Sequence, residues 1–299
     1  MGKPDTADLE GRIIAHLGTR VRIKTAQGVV EVKPPRKSAG WAVGDIAVIR
    51  GGMGVEIRDR KNELNRVGGN GEKQTLAANV DLVVAVTACG EAFKLGLIDR
   101  FCVTAFRMGA GFSIALNKMD VEGADRQLME ARAYETLGVP VYPVSARTGE
   151  GMEKLAESLS GKICALLGHS GVGKTSILNR LAPGLDRAVG EVYGKSDQGR
   201  HTTTMSLMVE LPCGGAIIDS PGLRQFNPVD IEPRDVAEFF PGIRDFSGKC
   251  KFRDCVHMTE PGCSVRAALA DGRLDAQRYA SYTRLLESIR TNAAKKGWE

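Results

Sequence analysis

The sequence predicts a protein of three regions: a small β-barrel, an α/β region built on a mostly parallel sheet, and a mainly helical C-terminal region with a metal site. Three observations predict this. Short β-rich runs are separated by Gly and Pro at close spacing up to about residue 67. From about residue 80, apolar runs alternate with helical patterns. Three cysteines and a histidine then cluster near the C-terminus. We place the regions at residues 1–70, 71–230 and 231–299.

Length and composition limit the class of protein. The chain has 299 residues, a formal net charge of +5 and seven cysteines. This length is enough for two or three domains with their own cores, and the mild basic excess is compatible with an anionic partner. An odd number of cysteines in a large chain without a leader-like start argues against a disulfide framework. Because no run of eighteen apolar residues occurs, we expect a cytoplasmic protein without membrane contact. We also expect a monomer.

The N-terminal region predicts the barrel. Its runs "GRIIAH", "RVRIKT", "GVVEVK", "DIAVIRG" and "GVEIRDR" are short and β-rich, and no convincing helical pattern interrupts them. The stretch that follows, "NRVGGNGEKQTLAAN" at residues 65–79, is polar and rich in glycine. Such a composition predicts a linker between the barrel and the α/β region.

A phosphate-binding loop lies past the middle of the chain. The stretch "GHSGVGKTS" at residues 168–176 satisfies G-x-x-x-x-G-K-[ST], and it stands between a β-like run and a helical run. Its glycines allow backbone N–H groups to curl around phosphates at the positive end of a helix. Lys174 is expected to reach the β and γ phosphates and Thr175 to bind Mg²⁺. The expected phosphate-contacting residues are Gly168, His169, Ser170, Gly171, Val172, Gly173, Lys174, Thr175 and Ser176.

Two stretches before this loop predict a guanine site. "NKMD", which contains Asn117, Lys118 and Asp120, follows an apolar strand. The Asp120 carboxylate can accept hydrogen bonds from N1–H and the amine of guanine, a donor pair that adenine lacks. Alone, "NKMD" is only a polar turn, but Ser145 and Ala146 after the next strand match a second base-contacting loop. The pattern favours a GTP site over that of an ATP-using enzyme.

Two stretches after the phosphate loop predict contacts to the γ phosphate. "GRHTTT" at residues 199–204 supplies threonines, of which we assign Thr203 to the nucleotide. "IIDSPG" ends a strand with Asp219 and places Gly222 where its N–H can reach the γ phosphate, as in the D-x-x-G element of GTPases. The base loops come before the phosphate loop, whereas the familiar order begins with it. The sequence therefore predicts a circularly permuted GTPase domain, whose loops still meet at one edge of a parallel sheet.

A cysteine–histidine cluster follows the α/β region. Cys250, Cys255, His257 and Cys263 have the spacing C-x₄-C-x-H-x₅-C. Three thiolates and an imidazole make a closed tetrahedral site typical of structural zinc. A thiolate redox site is the alternative, although no partner motif supports it. The remaining cysteines lie in apolar runs and are expected to be buried core residues: Cys89, Cys102, Cys164 and Cys213.

Taken together, "GRHTTT", "IDSPG" and the metal spacing resemble the RsgA family of circularly permuted GTPases of small ribosomal subunit maturation, along essentially the whole chain. The resemblance implies an N-terminal OB-fold, GTP hydrolysis stimulated by the small (30S) subunit, and ribosomal RNA contacts through the terminal domains. It also implies GTP or GDP, Mg²⁺ and one structural Zn²⁺ as cofactors. The alternative function is an RNA-binding module that senses GTP with little turnover of its own.

The catalytic group is the least determined part of the site. Many GTPases place a glutamine after D-x-x-G to orient the attacking water, and here that position is Leu223. By family resemblance the nearest candidate is His201, so we assign catalytic roles to His201, Lys174 and Thr175. A surface histidine beside a loop is the alternative, and the neighbouring Arg200 is a further candidate as an arginine finger.

Overall fold

The computed structural model describes residues 8–34, 40–50, 54–67, 72–184, 206–224 and 231–296. Its N-terminal region is a sheet of five strands in the order β3-β2-β1-β4-β5, all antiparallel. The strands are β1 (Leu9–His16), β2 (Val21–Thr25), β3 (Gly28–Val32), β4 (Ile46–Arg50) and β5 (Gly54–Ile57).

Alternation of apolar and polar residues explains these strands. In β2, Val21 and Ile23 are fully buried, whereas Arg22 and Lys24 between and beyond them reach toward solvent. The buried side chains meet Ile13, Ala47 and Ile49 from β1 and β4 in a small core. The β-rich N-terminal region is therefore confirmed. Among the described residues no ladder joins β3 to β5, so closure into an OB-fold barrel stays a prediction.

The predicted linker at residues 65–79 is wrong. Most of this stretch belongs to an antiparallel hairpin of β6 (Glu63–Val67) and β7 (Lys73–Ala78). Leu64, Leu76 and Ala77 are buried in the core of the α/β region, while Glu72, Lys73 and Gln74 are exposed. The glycines that lie between β6 and β7 in the sequence conceal this alternation. The proposed boundary after residue 70 falls between the two strands of the hairpin.

The α/β region is confirmed. Its six strands have the order β10-β9-β8-β11-β13-β12, and all neighbours are parallel except β12 and β13. The strands are β8 (Leu82–Ala88), β9 (Gly111–Asn117), β10 (Val141–Pro143), β11 (Ile163–Leu167), β12 (Ser206–Glu210) and β13 (Ala216–Asp219). Four helices accompany them, namely α1 (Leu95–Arg107), α2 (Ala124–Arg132), α3 (Met152–Leu159) and α4 (Lys174–Leu181), with a 3₁₀ turn at Glu135–Leu137.

Buried apolar clusters cover both faces of this sheet. One contains Phe101 and Ile114, and the other contains Leu155 and Leu166. The strands read as nearly continuous apolar runs because a parallel sheet covered on both faces has no solvent side. Their carboxyl ends therefore bring the loops after β8, β9, β11 and β13 to one edge.

A short ladder joins the N-terminal strands to the central sheet. Strand β1 pairs antiparallel with β12 at Ala15 with Leu207 and at His16 with Ser206. Beyond this pair the two strands diverge around an open cleft of about 430 Å³, and the Lys24 ammonium contacts the Glu210 carboxylate across it. The two sheets are therefore one continuous hydrogen-bonded structure.

The C-terminal region is mainly helical, as predicted. It follows α5 (Pro221–Arg224) and contains α6 (Val236–Phe239), α7 (Ser264–Ala270) and α8 (Ala276–Lys296). Its core surrounds Phe240 and Tyr282 and also includes Val103 of α1. None of the helices in the described ranges is both long and apolar enough to span a bilayer.

A buried ion pair fastens α8 to α1. The guanidinium of Arg278 lies 2.5 Å from the Asp99 carboxylate, and the two side chains are 10% and 0% exposed. The Tyr134 hydroxyl donates to the same carboxylate oxygen at 2.7 Å. Arg278 also lies 4.1 Å above the ring of Phe240 and donates to the carbonyl of Pro241 at 3.0 Å. The C-terminal region is thus attached to the α/β region by charge as well as by apolar packing.

Candidate functional site

Backbone geometry explains the glycines of the phosphate loop. Gly168 directly follows β11, and Gly171 and Gly173 have φ angles of 81° and 95°, which side chains other than glycine rarely adopt. A Cβ atom on Gly168 would lie 2.3 Å from the carbonyl oxygen of Val86, and one on Gly173 would lie 2.2 Å from the side-chain nitrogen of Asn117. The loop therefore turns tightly between β11 and α4, and the N-terminal end of α4 faces the edge of the sheet.

Lys174 and Thr175 open α4 beside the end of β13. The Lys174 ammonium donates to the carbonyl oxygens of Gly168 at 2.6 Å and His169 at 2.9 Å, which keeps it curled over its own loop. Thr175 and Asp219 line one small cavity together with Lys174. A hydroxyl and a carboxylate are the hard oxygen donors that Mg²⁺ prefers, so these residues fit that ion.

Asn117 connects the loops instead of pointing outward. Its side-chain nitrogen donates to the carbonyl of Val172 at 2.9 Å, and its oxygen accepts from the backbone N–H of Ala146 at 3.0 Å. Asn117 is buried, and the next residue, Lys118, has a φ of 62° that turns the chain away from β9. One amide therefore holds the phosphate loop and both base-contacting loops together.

Asp120 is held by two partners. The hydroxyl of Ser145 donates to one carboxylate oxygen at 2.5 Å, and the guanidinium of Arg147 lies 2.6 Å from the other. The Ser145 hydrogen bond and the Arg147 charge lower the pKa of Asp120, which stays ionised at neutral pH. Sequence reasoning missed Arg147, although its place directly after Ser145 and Ala146 was a usable signal. The two contacts thereby hold the carboxylate in one orientation.

Some of the remaining assigned residues lie in the described part of the chain and others do not. Asp219 ends β13, and Gly222 lies in α5, where a Cβ atom would come within 2.4 Å of Leu76. Leu223 is 1% exposed and packs into the α/β core, so it faces away from the nucleotide edge. His201 and Thr203 lie outside the described residues.

The cysteine–histidine cluster has the geometry of a closed metal site. The Nδ1 atom of His257 lies 3.4, 3.4 and 3.3 Å from the Sγ atoms of Cys250, Cys255 and Cys263, and the four atoms lie within 4.8 Å of one another. A tetrahedral Zn²⁺ with bonds of about 2.3 Å to sulfur and about 2.0 Å to nitrogen would separate N and S by about 3.5 Å. The donor set and its spacing therefore fit zinc.

Surrounding groups orient these ligands. The backbone N–H groups of Ser264 and Arg266, in the first turn of α7, point at the sulfurs of Cys250 and Cys263 at 3.4 and 3.5 Å. Burial raises the pKa of Cys250, but the hydrogen bonds from Ser264 outweigh it and the pKa is lowered. The Tyr279 hydroxyl donates to the carbonyl of His257 at 2.7 Å. All four ligands converge on one point, which suits an ion better than a cysteine pair in redox exchange.

Comparison with known proteins gives matches along most of the chain. A family model described as RsgA GTPase matches residues 57–228. The small ribosomal subunit biogenesis GTPase RsgA of Ectopseudomonas mendocina (strain ymp) is 39% identical over 292 residues, which cover 93% of this chain and 85% of that protein. The protein of the same name from Pseudomonas aeruginosa (strain LESB58) is 40% identical over 291 residues, with the same coverage.

Two solved structures share the architecture. The crystal structure of YjeQ from Thermotoga maritima superimposes with a TM-score of 0.74 at 28% identity and covers 94% of this chain and 98% of its own. That of YloQ, described as a circularly permuted GTPase, has a TM-score of 0.74 at 27% identity and covers 97% and 98%. The permuted order of the nucleotide loops is therefore shared with a solved relative. Since the family model spans more than half of the residues and the relatives align over nearly all of them, the chain belongs to the RsgA GTPase family.

Proposed function

We propose that this protein hydrolyses GTP as a late maturation factor of the small (30S) ribosomal subunit, which stimulates the reaction. The observation that carries the proposal is the Asn117 amide, because it joins the phosphate loop to both base-contacting loops despite their permuted order. The relatives at 39% and 40% identity are named for small ribosomal subunit biogenesis. We further propose that the protein acts as a monomer in the cytoplasm and contacts ribosomal RNA through its terminal regions.

The terminal regions supply the surfaces for this partner. We propose that residues 1–70 contain an OB-fold barrel, residues 71–230 the permuted GTPase domain and residues 231–299 a zinc-binding domain. Strand β6, which the first boundary separates from β7, packs with the GTPase domain. Small barrels of this type are common platforms for RNA. We assign one structural Zn²⁺ to the cysteine–histidine cluster, where the ligand spacing supports it.

Each nucleotide-site residue has a role in this proposal. Asp120 selects guanine, and Lys174 donates to the β and γ phosphates. Thr175 and Thr203 supply hydroxyl groups to Mg²⁺, while Gly222 donates its N–H to the γ phosphate after Asp219. When bound, Mg²⁺ neutralises charge that develops on the phosphates.

We assign the water-positioning role to His201. The reason is that Leu223 is buried in the core and leaves the usual glutamine position without a polar group. We propose that His201 acts on the attacking water only when the small subunit is bound, so that the isolated enzyme is slow. Arg200 and a group supplied by the ribosome are the competing candidates.

His201→Ala is expected to lower subunit-stimulated kcat by about 100-fold or more, because an imidazole that positions water acts in the transition state. Its affinity for GTP should stay near that of the wild type. Lys174→Ala should weaken GTP binding by about 10- to 100-fold and also reduce turnover, because its ammonium binds the ground-state phosphates. The measurement is phosphate release at saturating GTP, with and without purified small subunits.

Lys162→Ala is the matched control, since Lys162 is an exposed lysine directly before β11, at the amino ends of the parallel strands and so opposite the nucleotide edge. Full stimulated turnover in His201→Ala would transfer the role to Arg200 or to the ribosome. A wild-type protein that binds GTP but shows no turnover with small subunits would instead favour the competing function, a GTP-sensing RNA-binding module.

Asp120→Asn is expected to weaken GTP binding by about 10- to 100-fold and to improve the relative affinity for xanthosine triphosphate. The asparagine amide can donate to the carbonyl that replaces the amine of guanine, and it loses the charge that binds guanine. Competition with a fluorescent GDP analogue measures both affinities. Asp125→Asn, an exposed carboxylate in the first turn of α2, is the control. Unchanged GTP affinity in Asp120→Asn would remove this residue from the base site.

A further inference from the structure

One aromatic side chain of the C-terminal region lies at the surface. Phe252 is 42% exposed, and it stands between two cysteines of the metal cluster. Every other Phe, Tyr and Trp in the described ranges is buried or half-buried. A half-exposed phenylalanine on a surface loop leaves one part of its ring in contact with water, so the ring is available to stack on a partner.

Unpaired basic groups surround this ring. Lys249, Lys251 and Arg253 are all exposed, and the Lys251 ammonium lies 5.6 Å from the centroid of the ring. Within the part of the chain that the structure describes, neither Lys249 nor Arg253 has an ion-pair partner. By contrast, Arg273 and Arg278 of the same region pair with aspartates. The positive charges of Lys249 and Arg253 are therefore available to a ligand.

The metal cluster fixes the loop that carries these groups. Residues 249–254, which we call the Phe252 loop, include the ligand Cys250 and end directly before the ligand Cys255. The backbone N–H of Lys251 donates to the carbonyl of Gly262 at 3.1 Å. Gly262 has a φ of 73°, and a Cβ atom there would lie 3.0 Å from the Cβ of Lys251. A loop held in this way loses little conformational entropy when it binds.

We infer that the Phe252 loop binds unpaired nucleotides of single-stranded RNA, with the Phe252 ring stacked on a base and Lys249 and Arg253 on phosphates. An exposed ring beside free cations matches the two recurring elements of single-strand recognition, stacking and backbone charge. An anionic membrane is less suited, because one ring offers little apolar area for insertion. The inference rests on the proposed function for the identity of the RNA as ribosomal, but not for the chemistry of recognition.

The test uses full-length protein and a fluorescent oligoadenylate of about ten nucleotides, with binding followed by anisotropy at several salt concentrations. Phe252→Ala should weaken binding by about 10-fold, while Phe252→Tyr, which keeps the ring, should bind like the wild type. Arg253→Gln should reduce the slope of log affinity against log salt by about 0.7, the value for one phosphate contact, and Phe252→Ala should leave that slope unchanged.

Met129→Ala is the control, because Met129 is 69% exposed on α2, far along the chain from the loop. Zinc content and GDP affinity verify that each variant is folded. Equal RNA affinity of wild type and Phe252→Ala would overturn the inference, and so would tighter binding of wild type to anionic phospholipid vesicles than to the oligonucleotide. The proposed function is tested separately by subunit-stimulated turnover. Loss of RNA binding in Phe252→Ala without any stimulation of the wild type would uphold the inference and reject the ribosomal role.

Discussion

Cys263→Ser is expected to abolish stoichiometric zinc binding and to unfold the C-terminal region. Cys263 contributes to the four-ligand cluster, and its sulfur also accepts the Arg266 N–H at the start of α7. Structural zinc supplies about 10–16 kcal/mol of apparent binding free energy in zinc-finger peptides, and in such sites this is folding free energy. The core of the region includes Cys255 and Cys263 themselves, so loss of the ion reaches its centre.

Nucleotide binding should survive this change, because the α/β region has its own buried clusters on both faces of its sheet. Zinc content and limited proteolysis of the C-terminal helices test the loss of the metal and of the C-terminal fold. Affinity for a fluorescent GDP analogue tests whether nucleotide binding is retained. Cys213→Ser is the matched control, since this half-buried cysteine lies outside the cluster. A wild-type protein that is folded, metal-free and insensitive to chelators would contradict the zinc assignment.

Arg278→Ala is expected to destabilise the contact between α1 and α8 by about 3–5 kcal/mol. The substitution leaves the Asp99 carboxylate, which is 0% exposed, buried without its cation, and that is the costly way to break an ion pair. It also removes the guanidinium from the faces of Phe240 and Tyr134, at 4.1 and 4.8 Å. Chemical denaturation, with amide hydrogen exchange in α1 and α8 to localise the loss, provides the measurement.

Two further variants separate the contribution of the buried ion pair from that of the packing around it. Arg273→Ala breaks an exposed ion pair with Asp271 in the same region and should destabilise the protein far less than Arg278→Ala. The double variant Asp99→Leu with Arg278→Met removes both charges, and we expect it to recover most of the loss. If Arg278→Ala costs no more than Arg273→Ala, the buried pair does not hold the two helices together.

Local motifs made much of the nucleotide site and the metal cluster predictable. A phosphate loop needs glycines at fixed offsets because of backbone geometry, and Gly168 and Gly173 are positions where a Cβ atom would collide. The cluster ligands lie within fourteen residues, so their spacing alone indicates a shared ion. In both cases, residues close together in the sequence form the site.

Contacts between residues far apart in the sequence could not be predicted from local motifs. Asp99 and Arg278 are 179 residues apart in the chain, and nothing in the sequence near either residue indicates that the two are in contact. The β6–β7 hairpin was misread because the glycines and polar residues in this part of the sequence resemble a linker, while the burial of Leu64 and Leu76 depends on a core formed elsewhere. Tertiary packing, and not local propensity, decides such segments.

Strand β12 lies at the outer edge of the nucleotide-binding sheet, and an edge strand offers unpaired N–H and C=O groups to any other extended chain. Strand β1 covers the beginning of that edge, and beyond it the charged side chains of Arg12, Lys24 and Glu210 line the cleft. Another molecule that continued the strand pairing would have to bury these charges. The N-terminal strands therefore protect the sheet from edge-to-edge self-association, and a fragment without them would expose an edge prone to aggregation.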